Sequence, residues 1–362
     1  MELEGFDRPD DERADGDQSE TDGQLVARKG SRWRRAVSFR NISAIYVWLL
    51  LIVIFSIWVP STFLTSTTLK SMLSQEAVTA ILALGLVVPL AAGMYDLSIG
   101  YAAGAAAVGL AWVMVQHGQG TILSIVVALG IGFAVGVLNG ILVTKARINS
   151  FIATLAMGSI LSAFITYLTN NEQIIGLRSG FVALGTTEVF GVTLPVFYML
   201  GLAVVLWYVL EHTPVGRYLY ATGGNEEAAR LAGVPTRRYV FGSLVASGVI
   251  AGIAGVVVTA RIGAGAPAVG PPYLLPAFAA AFLGATQFKP GRPNVWGTVV
   301  AVYVLATGVK GLELAGAPFW LPDLFNGVAL LLAVGLAGYE GRIRVSRREL
   351  SGAREDLEGR PE

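Results

Sequence analysis

The chain has 362 residues, of which 54% are hydrophobic and 14% charged, with a mean hydropathy of +0.62 and a net charge of +1. A soluble domain carries about 25% charged residues, so the composition describes an integral membrane protein, and the charge balance carries no nucleic-acid signal. With no cysteine and only two histidines, His117 and His212, it excludes disulfides, thiolate metal sites and cysteine nucleophiles, and leaves little for a histidine-based metal centre.

Charge is segregated along the sequence. Ten of the 25 acidic residues precede Gly23 and six more lie from Glu340 onward, so nine serve everything between. Residues 1–27 are acidic and lack apolar periodicity, which predicts disorder. They are the reverse of a basic, then apolar, secretory signal. A basic cluster follows (Arg28, Lys29, Arg32, Arg34, Arg35 and Arg40, with Trp33 among it), the usual cytoplasmic flank of a first membrane span. Residues 1–44 thus form a tail and a juxtamembrane segment.

A hydrocarbon core of about 30 Å needs about 20 helical residues. On that ruler 45–338 reads as a membrane domain of ten spans: 45–60, 72–92, 98–116, 121–144, 148–169, 194–211, 238–260, 272–288, 294–313 and 320–338. With the first span starting inside, Lys145, Arg147, Arg217, Arg230, Arg237, Arg238, Lys289 and Arg292 fall in cytoplasmic loops. Lys70, Arg178, Arg261 and Lys310 fall on or near the other side. The tail 339–362, with Arg342, Arg344, Arg347 and Arg348, is cytoplasmic too. The bias fits an all-α membrane protein with both ends inside. Ten spans divide into five and five, and an odd count per half would make the halves face opposite ways, as an inverted repeat.

Some spans are interrupted. Gly93-Met-Tyr-Asp-Leu-Ser-Ile-Gly100 places an acid between two apolar runs, Pro89 removes a backbone donor just before it, and Pro276 falls inside the eighth span. Irregular backbone at membrane depth is tolerated only where protein or water satisfies it. Gly100/Gly104, Gly132/Gly136, Gly136/Gly140 and Gly248/Gly252 have the spacing that lets helix backbones approach closely.

One polar stretch, Thr213 to Arg238, interrupts the apolar chain with its own punctuation. Asn225 is placed to cap a short helix, Glu226 and Glu227 occupy its positive end, Arg230 its negative end, and Gly233 and Pro235 stop it. This predicts about two turns, too short to hold alone in water. Its apolar residues Ala228, Ala229, Leu231 and Ala232 suit docking against another protein, against the plainer reading of a surface helix between spans.

Among polar residues in the spans, Asp96 either carries function, as intramembrane acids usually do, or caps a solvated turn. Asn139, Asn149, Thr154, Ser159, Gln287 and Asn326 either hydrogen-bond the hydroxyls of a neutral solute or link helices. The spans otherwise offer almost no charge for a large ionic substrate or an ion-coupling site. The longest external loop, 170–192, offers Glu172, Arg178 and Glu188 to a soluble partner, or is a plain connector. There is no phosphate loop, HExxH or GxSxG, so neither nucleotide hydrolysis by that loop nor these hydrolase chemistries are expected.

Three stretches then resemble the membrane permease subunit of ribose-type sugar ABC importers. Gly93-Met-Tyr-Asp96-Leu97-Ser98-Ile99-Gly100 is similar to that family's Gly-Gly-x-Asp-Leu-Ser-x-Gly. Asn139-Gly140 through Phe151-Ile-Ala-Thr154-Leu155-Ala-Met157 is similar to its Asn-Gly…Phe-Ile-x-Thr-Leu-x-Met. Gly216-Arg217…Tyr220-Ala221-x-Gly223-Gly224-Asn225-x-x-Ala228-Ala229-Arg230…Gly233 resembles its cytoplasmic coupling segment. The likeness spans about Leu82 to Val334. It departs later, where Tyr273-Leu274-Leu275-Pro276 replaces the family's Tyr-Glu-Leu-Asp, and where Gly284 to Pro293 replaces a glycine-rich loop.

The resemblance implies a non-enzymatic permease in a bacterial cytoplasmic membrane, paired with a second copy and surrounded by lipid. It also implies a cytoplasmic ATPase that binds ATP and Mg, an extracytoplasmic solute-binding protein, and a monosaccharide as solute. Arg217, Gly223, Gly224, Asn225, Glu226, Ala228, Ala229, Arg230 and Gly233 would then couple to the ATPase. Asp96, Ser98, Asn139, Thr154, Gln287 and Asn326 would line the solute path. Replacing Ala229 with Arg is expected to abolish ATP-dependent uptake while leaving the protein inserted. A secondary transporter with broken helices, or a channel or scaffold, are the competing readings.

Overall fold

A computed structural model describes residues 43–335 apart from Pro290; the expected segment 1–44, except its last two residues, and the expected tail 339–362 lie outside the described residues. The chain runs through α1 (Ser43–Trp58), α2 (Ser66–Ala91), α3 (Ile99–Val115), α4 (Thr121–Thr144) and α5 (Ser150–Thr169). A connector holding β1 (Ile174–Ile175), α6 (Ser179–Thr186), β2 (Glu188–Val189) and β3 (Val192–Thr193) leads to α7 (Leu194–His212). Two short helices follow, α8 (Pro214–Gly224) and α9 (Glu226–Leu231), then α10 (Thr236–Ile262), β4 (Ala264–Gly265), α11 (Leu274–Ala285), α12 (Val295–Leu314) and α13 (Leu321–Gly335).

Each of the ten expected spans falls on one of these helices. Six of them, α2, α4, α5, α7, α10 and α12, are long and apolar enough to cross a membrane, while α1, α3, α11 and α13 are shorter apolar helices. Local chemistry sets the boundaries. Thr65 caps α2 by accepting from the Thr68 N–H at 3.1 Å, and Pro89 disrupts its last turn, so the helix ends at Ala91. Asn149 caps α5 through the Phe151 N–H, and Asn294 caps α12 through the Gly297 N–H. Pro276 proves to sit in the first turn of α11, where a missing N–H costs nothing. The eighth span, expected over 272–288, is therefore the end of a 3-10 turn (Pro271–Tyr273) and a twelve-residue helix, reached through an irregular segment, 263–270, and not one helix broken by proline.

The core is made by α3, nearly all buried among α2, α4, α5 and α10. The small-residue spacings mark real crossings. A methyl group on Gly132 would lie 2.9 Å from the Gly252 nitrogen, and one on Gly248 would lie 2.8 Å from the Gly136 α-carbon, so α4 and α10 touch backbone to backbone. Gly270 meets Gly100 and Gly104 in the same way, which seats the irregular segment along α3.

Contacts between connections sort them into two ends. At one end Gly93 meets Gly223, the Tyr95 N–H donates to Ser150 Oγ, the Tyr220 hydroxyl donates to the Pro293 carbonyl, and Lys289 pairs with Glu211. At the other, Arg178 donates to the Gly118 carbonyl, Arg261 to the Gln75 carbonyl, and β1 pairs antiparallel with β4 through Ile174 and Gly265. The long and short apolar helices from α2 to α12 that these connections join thus alternate in direction. Arg178 of the expected external loop donates to the loop after α3.

Candidate functional site

The site lies at the first of these ends and has two parts, a buried polar network and a docking platform. The network centres on Asp96, which is 1% exposed and not a solvated turn. Pro89 ends α2, Gly93 turns the chain with φ +76°, and residues 94–98 run into the bundle before α3 begins. Asp96 Oδ1 accepts from the Ser98 N–H at 3.0 Å and from Ser98 Oγ at 2.6 Å, and Oδ2 accepts from Ser247 Oγ of α10 at 2.6 Å. Asn139 of α4 donates through Nδ2 to Ser98 Oγ at 2.8 Å, leaving its own Oδ1 buried without a partner among the described residues. Thr154 Oγ1 of α5 accepts from the Leu97 N–H at 2.9 Å and donates to the Ser150 carbonyl. Four expected site residues, Asp96, Ser98, Asn139 and Thr154, therefore come together, joining the irregular segment to α4, α5 and α10.

Gln287 and Asn326 do not join them. Gln287 is buried in the loop between α11 and α12, where Nε2 donates to Thr286 Oγ1 and its backbone carbonyl accepts from Asn294 Nδ2. Asn326 belongs to α13 and lines a separate cavity with Glu76, Tyr273 and Asp323. The spans are thus less bare of charge than the sequence suggests. Glu76 stands within α2, and an acid inside the second apolar run was the signal for it.

The platform follows the expected punctuation. Asn225 Oδ1 accepts from the Ala228 N–H at 2.9 Å, Glu226 and Glu227 occupy the first turn of α9, and Arg230 pairs with Glu227 at 2.5 Å. Gly233 has φ +84°, and the Val234 N–H closes on the Ala229 carbonyl. The helix comprises six residues, and Glu226 also accepts from Thr236 Oγ1. Beside it lies a cleft of about 610 Å³ lined by Glu226, Glu227, Arg230 and the start of α10.

Two features were not legible in the sequence. Ala229 is 7% exposed and packs inward, whereas Leu231 is 80% exposed; in a helix this short, the spacing does not say which alanine faces the protein. Residues 214–224, read as part of a loop, form α8, which buries Gly216, Leu219 and Thr222. Tyr220 fixes α8 from the side, with the Arg292 guanidinium 3.5 Å over its ring. Burial pushes its phenol up to about 12. Arg217 is exposed on α8, as are Gly224, Ala228 and Arg230 on or beside α9.

The two parts touch at one point. A methyl group on Gly223 would collide with the Ala91 carbonyl and lie 2.8 Å from the Gly93 nitrogen. The end of α8 therefore rests directly on the turn that leads to Asp96.

The family described as branched-chain amino acid transport system, permease component, matches residues 68–334, three-quarters of the chain and all of the site. The chain belongs to that permease family. Individual relatives agree with it. The ribose import permease protein RbsC of Escherichia coli strain K12 is 33% identical over 296 residues, 79% of this chain and 90% of that protein. The D-allose transport system permease protein AlsC of the same strain is 27% identical, covering 83% and 92%. The L-arabinose ABC transporter permease protein AraH of Azospirillum brasilense is 30% identical, covering 80% and 85%. The permease is accordingly a multi-pass membrane protein, and the proteins it resembles are named for transport, not for catalysis.

Proposed function

We propose that this permease is the membrane subunit of an ATP-driven importer for a monosaccharide or similar neutral polyol. The observation that carries the reading is the match to ribose, allose and arabinose permeases along about nine-tenths of their length. The family description names branched-chain amino acids, but these relatives cover about four-fifths of the chain and all are named for sugars.

On this reading α8 and α9 face the cytoplasm, where a partner ATPase binds ATP and Mg and receives α9 in a cleft. Exposed Leu231, with Arg217, Ala228 and Arg230 around it, makes the contact; Ala229, Gly223, Gly224, Asn225, Glu226 and Gly233 shape the peg. Closure of the ATPase pushes on α8, whose end bears on Gly93. The network of Asp96, Ser98, Asn139, Thr154 and Ser247 then carries the displacement to α4, α5 and α10, selecting one of two arrangements of the bundle. Gln287 belongs to the loop bracing α8, and Asn326 opens on a cavity.

All ten apolar helices cross the membrane; of the four short ones, α3 is buried among its neighbours and α11 is lengthened by the 3-10 turn before it. The five-plus-five inverted repeat is supported by a likeness between α2 and α10. Both are long, both lead into an irregular segment (92–98 and 263–273) and then a shorter helix, and the two breaks begin at opposite ends of the bundle. A second copy of the permease, an extracytoplasmic solute-binding protein and both termini inside complete the assembly, in a bacterial cytoplasmic membrane.

Reconstitution in proteoliposomes with a partner ATPase and a solute-binding protein tests the reading. Uptake of ribose, allose or arabinose should require ATP and both partners. Uptake that needs neither and collapses with an ion gradient would assign the protein to the secondary transporters.

A further inference from the structure

A cavity between helices carries polar groups that the coupling site does not use. It measures about 310 Å³ and lies between α2, the residues opening α11, α12 and α13. Glu76 and Thr79 come from α2, Tyr273 from the turn before α11, and Asp323 and Asn326 from α13, while Val302 and Leu305 of α12 supply an apolar wall. Glu76 is next to Gln75, whose carbonyl holds Arg261 at the end of α10 remote from α9, so the cavity lies toward the face opposite the docking platform. Glu76 and Thr79 stand about one helical turn apart on α2 and line the cavity together. The side chains of Asp323 and Asn326 have no hydrogen-bond partner among the described residues.

We propose that this cavity binds one sugar-sized polyol, with Glu76 and Asp323 accepting from its hydroxyls, Asn326 and Tyr273 supplying donors, and the α12 wall covering its C–H face. A carboxylate offers about four acceptor positions and takes paired donors well, which suits neighbouring hydroxyls. A bare cation is the other chemistry two acids suggest, but it needs oxygens converging at about 2–2.6 Å. No group of three or more His, Cys, Asp or Glu among the described residues could hold one. The volume is instead that of about ten liquid waters and falls within the about 300–1,000 Å³ of small-molecule sites.

The proposal rests on the transport reading, and the test separates the two. The sequence has no cysteine, so Asn326→Cys introduces a single thiol. It is examined in the assembled transporter with a membrane-impermeant thiosulfonate, alone and with D-ribose, D-allose, L-arabinose or sodium chloride. At least one sugar at saturation should slow labelling about tenfold, equivalent to ~1.4 kcal/mol, and sodium chloride should not. In parallel, Asp323→Asn should raise the KM for that sugar with the maximal rate kept, the signature of lost ground-state binding. Protection by sodium alone, or none while wild-type ATP-dependent uptake is intact and KM is unmoved in Asp323→Asn, overturns the site and leaves the permease reading standing. Protection by sugar without ATP-dependent uptake keeps the site and removes the reading.

Discussion

A carboxylate cut off from water must find its hydrogen bonds in the protein, and Asp96 finds three, two from Ser98 and one from Ser247. Ser247→Ala leaves Oδ2 with a buried, unmet acceptor. The expected cost is about 1–3 kcal/mol, read as a lower midpoint in thermal unfolding of the detergent-solubilised permease. Asp96 itself was legible in the sequence as an acid between apolar runs. Ser247 was not, because nothing in a sequence joins residues 151 positions apart. The same limit governs the peg. Ala229→Arg, chosen from sequence as a docking test, would force a charge into a buried position and unfold the local structure. Leu231→Glu changes only the exposed tip. It is expected to leave expression and thermal stability unchanged and to lower ATP-dependent uptake about tenfold, or ~1.4 kcal/mol of lost docking; unchanged uptake in reconstituted vesicles would remove α9 from the interface.

At the scale of elements, hydropathy located the spans because a lipid-facing or core helix must be apolar throughout, and the glycine spacings located the α4–α10 crossing for the equally local reason that only glycine permits it. Gly248→Leu places a side chain where the backbone of Gly136 already stands. Overpacking of this kind costs typically about 1–3 kcal/mol or more, and the variant should lose its compact monodisperse peak in size-exclusion chromatography. The eleven-residue α8 escaped notice because it is amphipathic, short and closed by two glycines. It is pinned by the Tyr220 hydroxyl on the Pro293 carbonyl and by Arg292 over the ring. The fold raises the Tyr220 phenol from its ordinary value near 10 to about 12, so the folded state favours the protonated form. Its contribution is complete below about pH 10 and is lost as pH climbs through about 12. Fluorescence of Trp207 and Trp296, which lie close together near this loop, should therefore be flat between neutral pH and about pH 9, and should shift above about pH 10.

For the molecule as a whole, the alternation of its connections fixes which loops share a face, and single cysteines decide which face is inside. Ala232→Cys beside α9 should be labelled by an impermeant reagent only in inside-out vesicles. Phe190→Cys, at the turn joining β2 to β3 where the side chain is 92% exposed, should be labelled only in right-side-out ones. The reverse pattern would put the platform out of reach of any cytoplasmic ATPase. The touch between Gly93 and Gly223 has a consequence for how such a permease can change over generations. Two backbones meeting without side chains leave no volume to trade, so a larger residue at either position has no compensating smaller residue to be found at the other. Revertants of Gly223→Ala are therefore confined to shifts in the main chain, above all around Pro89 and Thr213, where the two segments leave their helices.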